Sequence, residues 1–251
     1  MSSFLSDGVR IAYIDEGHGA DSREPALLIH GFASNKAVNW VNTGWVETLK
    51  KAGRRVIALD NRGHGDSEKL YDEAAYGARL MAEDARALLD HLGVERADVI
   101  GYSMGARIAT FLAIAHPARV RRLVIGGLGI NLVVGVGGAG PIAAALLADK
   151  PEDVTNDAAR SFRLFADQTG SDRRALAACI RSSREKITPE MLATLTMPVL
   201  IAVGEHDVIA GEARPLQPHI PNAQVLDIPG RDHQKAVGDR AFKDGVLAFL
   251  A

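Results

Sequence analysis

The chain has 251 residues, 47% of them hydrophobic, enough for one large α/β domain with a small insertion but not for two full domains. Its 29 Lys and Arg against 31 Asp and Glu leave a formal charge of -2. With no dense basic run, the electrostatic footprint of a nucleic-acid binder is missing. The lone Cys179 excludes an intramolecular disulfide, and no Cys/His cluster has zinc-ligand spacing. Met1 to Asp7 lacks the basic start and long apolar run of a secretion signal, so the expectation is a cytoplasmic protein without structural metal.

In chain order, Phe4-Leu5-Ser6 and Val9 to Tyr13 flank Asp7-Gly8, a two-residue hairpin turn, so the sheet starts antiparallel. From there strand-like and helix-like stretches alternate. Ala26 to Ile29 is a strand, Val46 to Ala52 a helix, Arg55 to Leu59 a strand, Tyr76 to Leu92 a long helix, and Ala97 to Ile100 a strand. Such alternation predicts parallel strands joined by helical crossovers. Leu80, Asp84, Leu88 and Leu92 mark the buried face of the long helix, and Asp84 breaks its apolar pattern.

After a strand at Val120 to Ile125, the residues from Leu123 to Ala148 carry no charge and are long enough to span a bilayer. Repeated glycines from Gly126 to Gly140, together with Pro141, break the run, which predicts a core strand followed by an apolar loop and no stable membrane insertion. Helical patterns at Ile142 to Ala148, Ala158 to Phe165 and Arg173 to Arg184 then predict an inserted helical cap over residues 131–190. The core, residues 1–130 and 191–251, resumes with strands at Pro198 to Val203 and Gln224 to Ile228 and closes with a helix at Ala241 to Leu250.

Gly101-Tyr102-Ser103-Met104-Gly105 joins the Val99 strand to a helical pattern. A serine at the tip of such a turn takes a positive-φ backbone, and strand and helix approach so closely that only small residues fit two positions to either side. Ser103 is therefore the candidate nucleophile. A serine hydroxyl needs a base, and the base an orienting carboxylate. The Val199 strand ends in Gly204-Glu205-His206-Asp207 and the Val225 strand in Pro229-Gly230-Arg231-Asp232-His233. These supply Asp207 and His233, with Glu205 as the alternative acid and Asp232 as a loop residue beside the base.

The order Ser…Asp…His, with each residue just past a strand, resembles the α/β-hydrolase fold superfamily, in particular its small bacterial serine hydrolases. His30-Gly31-Phe32 resembles that family's oxyanion-loop motif, and Asp60 to Ser67 the turn after its next strand. The resemblance covers almost the whole chain. It implies an eight-stranded, mostly parallel sheet with an antiparallel second strand, helices on both faces, and a cap after the sixth strand. It also implies a Ser103-His233-Asp207 triad, an oxyanion hole made by the backbone N–H groups of Phe32 and Met104, no cofactor, and acid at Asp207 rather than Glu205. The activity it implies is hydrolysis of carboxylic esters by acyl transfer to serine and then water, and the Gly-rich apolar cap entry with Phe32, Met104 and Trp40 suggests an uncharged, small-to-medium acyl group. Lactone, thioester, C–C bond or peracid chemistry on the same triad stays open, as does a slow-turnover small-molecule receptor. No protein partner is legible.

His30, Trp40, Leu128 and Ile130 are candidates for the substrate pocket, His30 also as a polar anchor beneath the oxyanion loop. His64, His206 and His219 read as solvated loop residues, and Asp60 to Gly63 as a turn held by side-chain hydrogen bonds. Gly135 to Gly140 matches the Gly-x-Gly-x-x-Gly dinucleotide pattern, but it does not join the first strand of a βαβ unit to its helix with an acidic residue at the end of the next strand, as a nucleotide site requires. Arg160, Arg163, Arg173, Arg174, Arg181 and Arg184 read as a solvated helical face.

Overall fold

A computed structural model describes residues 2–17, 24–182 and 185–251; Met1 and Arg184 lie outside them. The first strands, β1 (Ser2–Ser6) and β2 (Val9–Glu16), form the expected hairpin. At its turn Asp7 and Gly8 take φ of 47° and 79°, the backbone twist that a two-residue hairpin loop demands. There follow β3 (Ala26–Ile29), α1 (Trp45–Lys51), β4 (Val56–Leu59), α2 (Ala78–His91), β5 (Ala97–Tyr102), α3 (Met104–Ala115) and β6 (Val120–Gly126). Five helices come next: α4 (Asn131–Val134), α5 (Ala139–Leu147), α6 (Asp157–Gln168), α7 (Arg173–Arg181) and α8 (Pro189–Leu192). The chain then returns through β7 (Val199–Gly204), β8 (Ala223–Ile228), α9 (His233–Ala236) and α10 (Arg240–Leu250).

The eight strands form one sheet in the order β1-β2-β4-β3-β5-β6-β7-β8. β2 runs antiparallel to both of its neighbours and every other pairing is parallel. Ala26 to Ile29 and Val56 to Leu59 are buried at every position, because a parallel strand under helices on both faces has no solvent side. Alternate side chains sort to opposite faces. Leu27, Ile57, Val99 and Leu123 meet the apolar stripes of α2 and α3 in one cluster. Leu28, Val56, Ile100 and Val124 meet Trp45, Leu49, Phe242 and Val246 from α1 and α10 in another.

The helices between β6 and β7 carry an apolar cluster of their own, with Ile142, Leu146, Ala159, Leu176 and Ile180. Among the described residues no helix is long and apolar enough to cross a membrane. The charge-free stretch at 123–148 is divided among β6, α4 and α5. Gly135 to Gly140 joins α4 to α5, so no strand feeds it.

Asp84, the flaw in the apolar face of α2, is 1% exposed and receives both arms of the Arg62 guanidinium at 2.7 Å. A carboxylate at this position is tolerated because a planar guanidinium pairs with both of its oxygens. The turn after β4 is thereby tied to the helix that follows it.

Candidate active site

Ser103 sits between β5 and α3 with φ 56° and ψ −117°, one of three non-glycine residues at positive φ among those described. The flanking glycines permit this geometry by close approach. A Cβ on Gly101 would lie 2.3 Å from the Gly105 carbonyl oxygen, and one on Gly105 would lie 2.0 Å from that of Ile29. The Ser103 N–H is fixed to the Gly126 carbonyl of β6 at 2.8 Å. The strained turn is therefore held by the sheet itself, and the hydroxyl stands at the carboxyl end of β5.

His233 opens α9, and its Nε2 is 2.9 Å from Ser103 Oγ. Its Nδ1 is 2.7 Å from Asp207 Oδ2. Asp207 Oδ1 accepts the N–H groups of Ile209 and Ala210 at 3.0 and 2.9 Å, which leaves Oδ2 aimed at the imidazole. Glu205 is exposed and accepts the Gly230 N–H at 2.9 Å; it makes no contact with His233 among the described residues. Asp232 caps α9 by accepting from Gln234 and Lys235.

The sequence did not suggest what holds His233 from below. The Tyr102 hydroxyl donates to the His233 backbone carbonyl at 2.6 Å, and the two rings lie 5.5 Å apart between centroids. Tyr102 is 4% exposed, and burial raises its phenol well above the ordinary value, so it stays a donor. Gly127 makes room for it, since a Cβ there would fall 2.6 Å from the Tyr102 ring.

Among the described residues, neither the Phe32 N–H nor the Met104 N–H has a hydrogen-bond acceptor. Met104 opens α3, where the first amides have no intrahelical partner. The peptide that carries the Phe32 N–H is clamped from its other side, because the Gly31 carbonyl receives His30 Nδ1 at 2.7 Å. His30 Nε2 accepts the Asn61 N–H at 3.0 Å, which fixes the tautomer with the proton on Nδ1. Burial depresses the His30 pKa. The Gly31 N–H donates to Asn39 Oδ1 at 3.2 Å, a contact that no sequence signal marked.

Two expectations are corrected here. His64 is fully buried, not solvated; its ring lies 5.3 Å from His30 and its Nδ1 is 3.0 Å from the Arg62 carbonyl. Burial pushes its pKa down to about 3. Trp40, placed at the pocket from sequence, is fully buried beneath the sheet, edge-on to Trp45 at 6.0 Å. It lies in a π-helical turn, Ala37–Val41, that aims the indole at the core.

Leu128 is 3% exposed and belongs to the larger of the two sheet clusters. Ile130 is half-buried, and its N–H donates to the Glu212 carbonyl. Phe32 is half-buried, with ring contacts to His64 at 5.8 Å and Phe162 of α6 at 6.0 Å. The turn after β4 is built as expected around Asp60. That carboxylate accepts Lys36 Nζ at 2.6 Å and the Lys36 and Asp66 N–H groups at 2.7 Å.

Of the basic residues named in the insertion, Arg163 and Arg173 meet at Asp167 and at the Ala148 carbonyl, and the others lie apart. Arg160 pairs with Asp157. Arg163 is buried, contrary to a solvated face, and donates to Asp167 at 2.9 Å and to the Ala145 carbonyl. Arg173 reaches the Ala148 carbonyl at 3.3 Å, Arg174 lies 4.9 Å above the Tyr71 ring, and Arg181 is exposed.

A family model described as the alpha/beta hydrolase fold matches residues 25–156. A 2-hydroxymuconate semialdehyde hydrolase of Pseudomonas putida is 40% identical over 134 residues, 53% of this chain and 45% of that protein. The dihydrolipoyllysine-residue acetyltransferase component of an acetoin cleaving system, also from Pseudomonas putida, is 30% identical over 92% of this chain and 65% of its own length. The chain thus spans less than two thirds of either relative. Among solved structures, the enol-lactonase of Burkholderia xenovorans LB400 superposes with a TM-score of 0.83 at 21% identity, covering 99% of both chains.

Proposed function

Starting from the premise that the chain belongs to the α/β-hydrolase family, we propose that it is a serine hydrolase of uncharged, small-to-medium carboxylic esters. The observation that carries this reading is the continuous chain Ser103 Oγ, His233 Nε2, His233 Nδ1 and Asp207 Oδ2, with contacts of 2.9 and 2.7 Å. In the proposed mechanism Ser103 gives its proton to His233 Nε2 as Oγ bonds to the ester carbonyl carbon. Charge develops on the carbonyl oxygen and is met by the Phe32 and Met104 N–H groups. The C–O bond then breaks, and the leaving alkoxide takes the proton from His233. Water, deprotonated by the same imidazole, releases the acid from Ser103 by the reverse sequence. Asp207 holds the imidazole in one tautomer and stabilises its cation.

The apolar character of the partly buried Phe32, Met104 and Ile130 supports an uncharged acyl group, with residues 131–190 as the cap over it. A carboxylate-bearing substrate such as 2-hydroxymuconate semialdehyde, named for a relative 40% identical over half of this chain, is the second reading. The commitment of Arg160, Arg163, Arg173 and Arg174 to partners elsewhere speaks for the first.

The test is steady-state hydrolysis of p-nitrophenyl esters from acetate to octanoate, with Ser103→Ala alongside. Multiple turnovers, lost by at least about a thousandfold in the variant, are expected, with an optimum below octanoate. Turnover that survives in Ser103→Ala defeats the nucleophile assignment. A single turnover points to a receptor-like role, and activity confined to acidic dienones points to the second reading.

A further inference from the structure

The loop that carries the Phe32 N–H is packed from two sides, with Phe32 against both the sheet cluster and the cluster of the helical insertion. Ala33, the next residue, is 0% exposed and packs with Ile142, Leu146, Ala159 and Leu176 of the insertion, separately from the two clusters of the sheet. It holds φ 58°, a conformation an alanine keeps only when its surroundings impose it. Its carbonyl stands 3.0 Å from Thr169 Oγ1 and 3.5 Å from Ser171 Oγ, and the single Thr169 proton is shared between it and the carbonyls of Phe165 and Ala166 at 3.0 and 3.2 Å. These two hydroxyls are 2.8 Å apart and lie in the turn between α6 and α7. The Phe32 ring meets Phe162 of the same helix at 6.0 Å.

We infer that Thr169, with Ser171 behind it, is a positioning residue for the oxyanion hole, so that the seating of the insertion sets the aim of the Phe32 N–H. This rests on the serine-hydrolase reading above. His30 clamps the Gly31–Phe32 peptide from the sheet side. A strained turn pinned by hydrogen bonds to its carbonyls has one orientation; released from one of them, it relaxes. Because the donor acts on charge that develops during reaction, misaim reduces kcat and leaves ground-state binding, and so KM, nearly unchanged.

The experiment compares wild type with Thr169→Val, Thr169→Ser and Ser171→Ala on one p-nitrophenyl ester, together with the Ki of a trifluoromethyl ketone of the same chain length. Such a ketone adds to the serine and presents an oxyanion, so its affinity reads the hole directly. Valine keeps the shape of threonine and loses the hydroxyl. The expected result is a kcat lower by about tenfold to a hundredfold, the scale of a small misplacement of reacting groups, with KM within about twofold. Ketone affinity should fall in parallel. Thr169→Ser should restore both, and Ser171→Ala should show a smaller loss of the same sign.

Wild-type kcat and ketone affinity in folded Thr169→Val would overturn the assignment, as would a loss of kcat with ketone affinity retained. Should Thr169→Val not fold, unchanged kcat and Ki in Ser171→Ala would overturn it. Ser103→Ala keeps the two readings apart. Activity that survives there defeats the parent mechanism, whereas full activity in Thr169→Val with Ser103 still essential defeats only this inference.

Discussion

Two groups of histidines stand at the carboxyl end of the sheet, and they differ in what their nitrogens touch. His233 is 16% exposed at its side chain, and its nitrogens face one hydroxyl and one carboxylate. His30 is fully buried and both of its nitrogens face backbone groups, the Gly31 carbonyl and the Asn61 N–H. His64, beside it, has one nitrogen near the Arg62 carbonyl and a buried Nε2 without a hydrogen-bond partner among the described residues. Protonating His30 breaks the hydrogen bond that its Nε2 accepts from the Asn61 N–H, and protonating His64 puts a charge in a dry site at a nitrogen with no acceptor among the described residues. An imidazole between a side-chain donor and a carboxylate gains a partner for the charge it acquires. The same residue type is thus a fixed dipole in one place and, in the proposed mechanism, a proton carrier in the other.

The sharpest way to break this comparison is Asp207→Asn. Asparagine can still accept the Ile209 and Ala210 N–H groups through its carbonyl oxygen, so the loop should keep its shape. Its amide N–H then faces His233 Nδ1 and enforces the wrong tautomer. The expected loss of kcat is about ten-thousandfold at unchanged melting temperature. A loss below about tenfold would place the orienting carboxylate elsewhere.

The buried group should show itself in stability. Unfolded His64 takes up a proton near pH 6.5, whereas in the folded chain burial delays protonation to about pH 3. Between these values the unfolded state binds more protons, so stability is full above about pH 6.5 and falls as the pH is lowered through that window. His30, lowered for the same reason, adds to the slope with the same sign. His64→Asn, whose amide can still reach the Arg62 carbonyl, should lose stability at pH 7 and flatten the fall in melting temperature between pH 7 and 4. An unchanged slope would mean that His64 is not the group responsible.

These two groups were unequally legible in the sequence, for physical reasons. Ser103, Asp207 and His233 follow strands whose apolar runs mark where a parallel strand must end, and Gly101 and Gly105 are dictated by backbone approach. The antiparallel start was legible because Asp7-Gly8 encodes a particular turn. His64 was misread because a polar loop residue carries no mark of burial. It is buried because the turn folds inward around Asp60, with Lys36 arriving from another loop. Trp40 was misplaced because nothing local in the sequence marked the π-helical turn at Ala37–Val41 that carries it into the core. Thr169 and Ala33 are 136 residues apart, and no local pattern announces such a contact.

Tyr102→Phe gives a smaller effect and tests whether the support beneath His233 matters to its chemistry. The ring stays against Gly127, and only the hydroxyl that donates to the His233 carbonyl is lost. The imidazole keeps both partners but its backbone is freed, so kcat should fall by about tenfold at constant KM. A wild-type rate would show that α9 alone is enough to hold the base.

The smallest expected effect is at Glu205, and its smallness carries the argument. Glu205 and Asp207 leave the same strand, and a carboxylate at either position could in principle serve a histidine on the neighbouring loop. Glu205 instead points to solvent and accepts the Gly230 N–H at 2.9 Å. Glu205→Gln removes its charge and retains an oxygen that can accept that hydrogen bond. The rate should therefore stay within about twofold of wild type, as for an ordinary surface substitution. Because this substitution and Asp207→Asn make the same chemical change two residues apart, the ratio of their effects measures how far orientation, rather than the mere presence of a carboxylate, makes an acid part of the triad. A ratio near one would remove the distinction between the two.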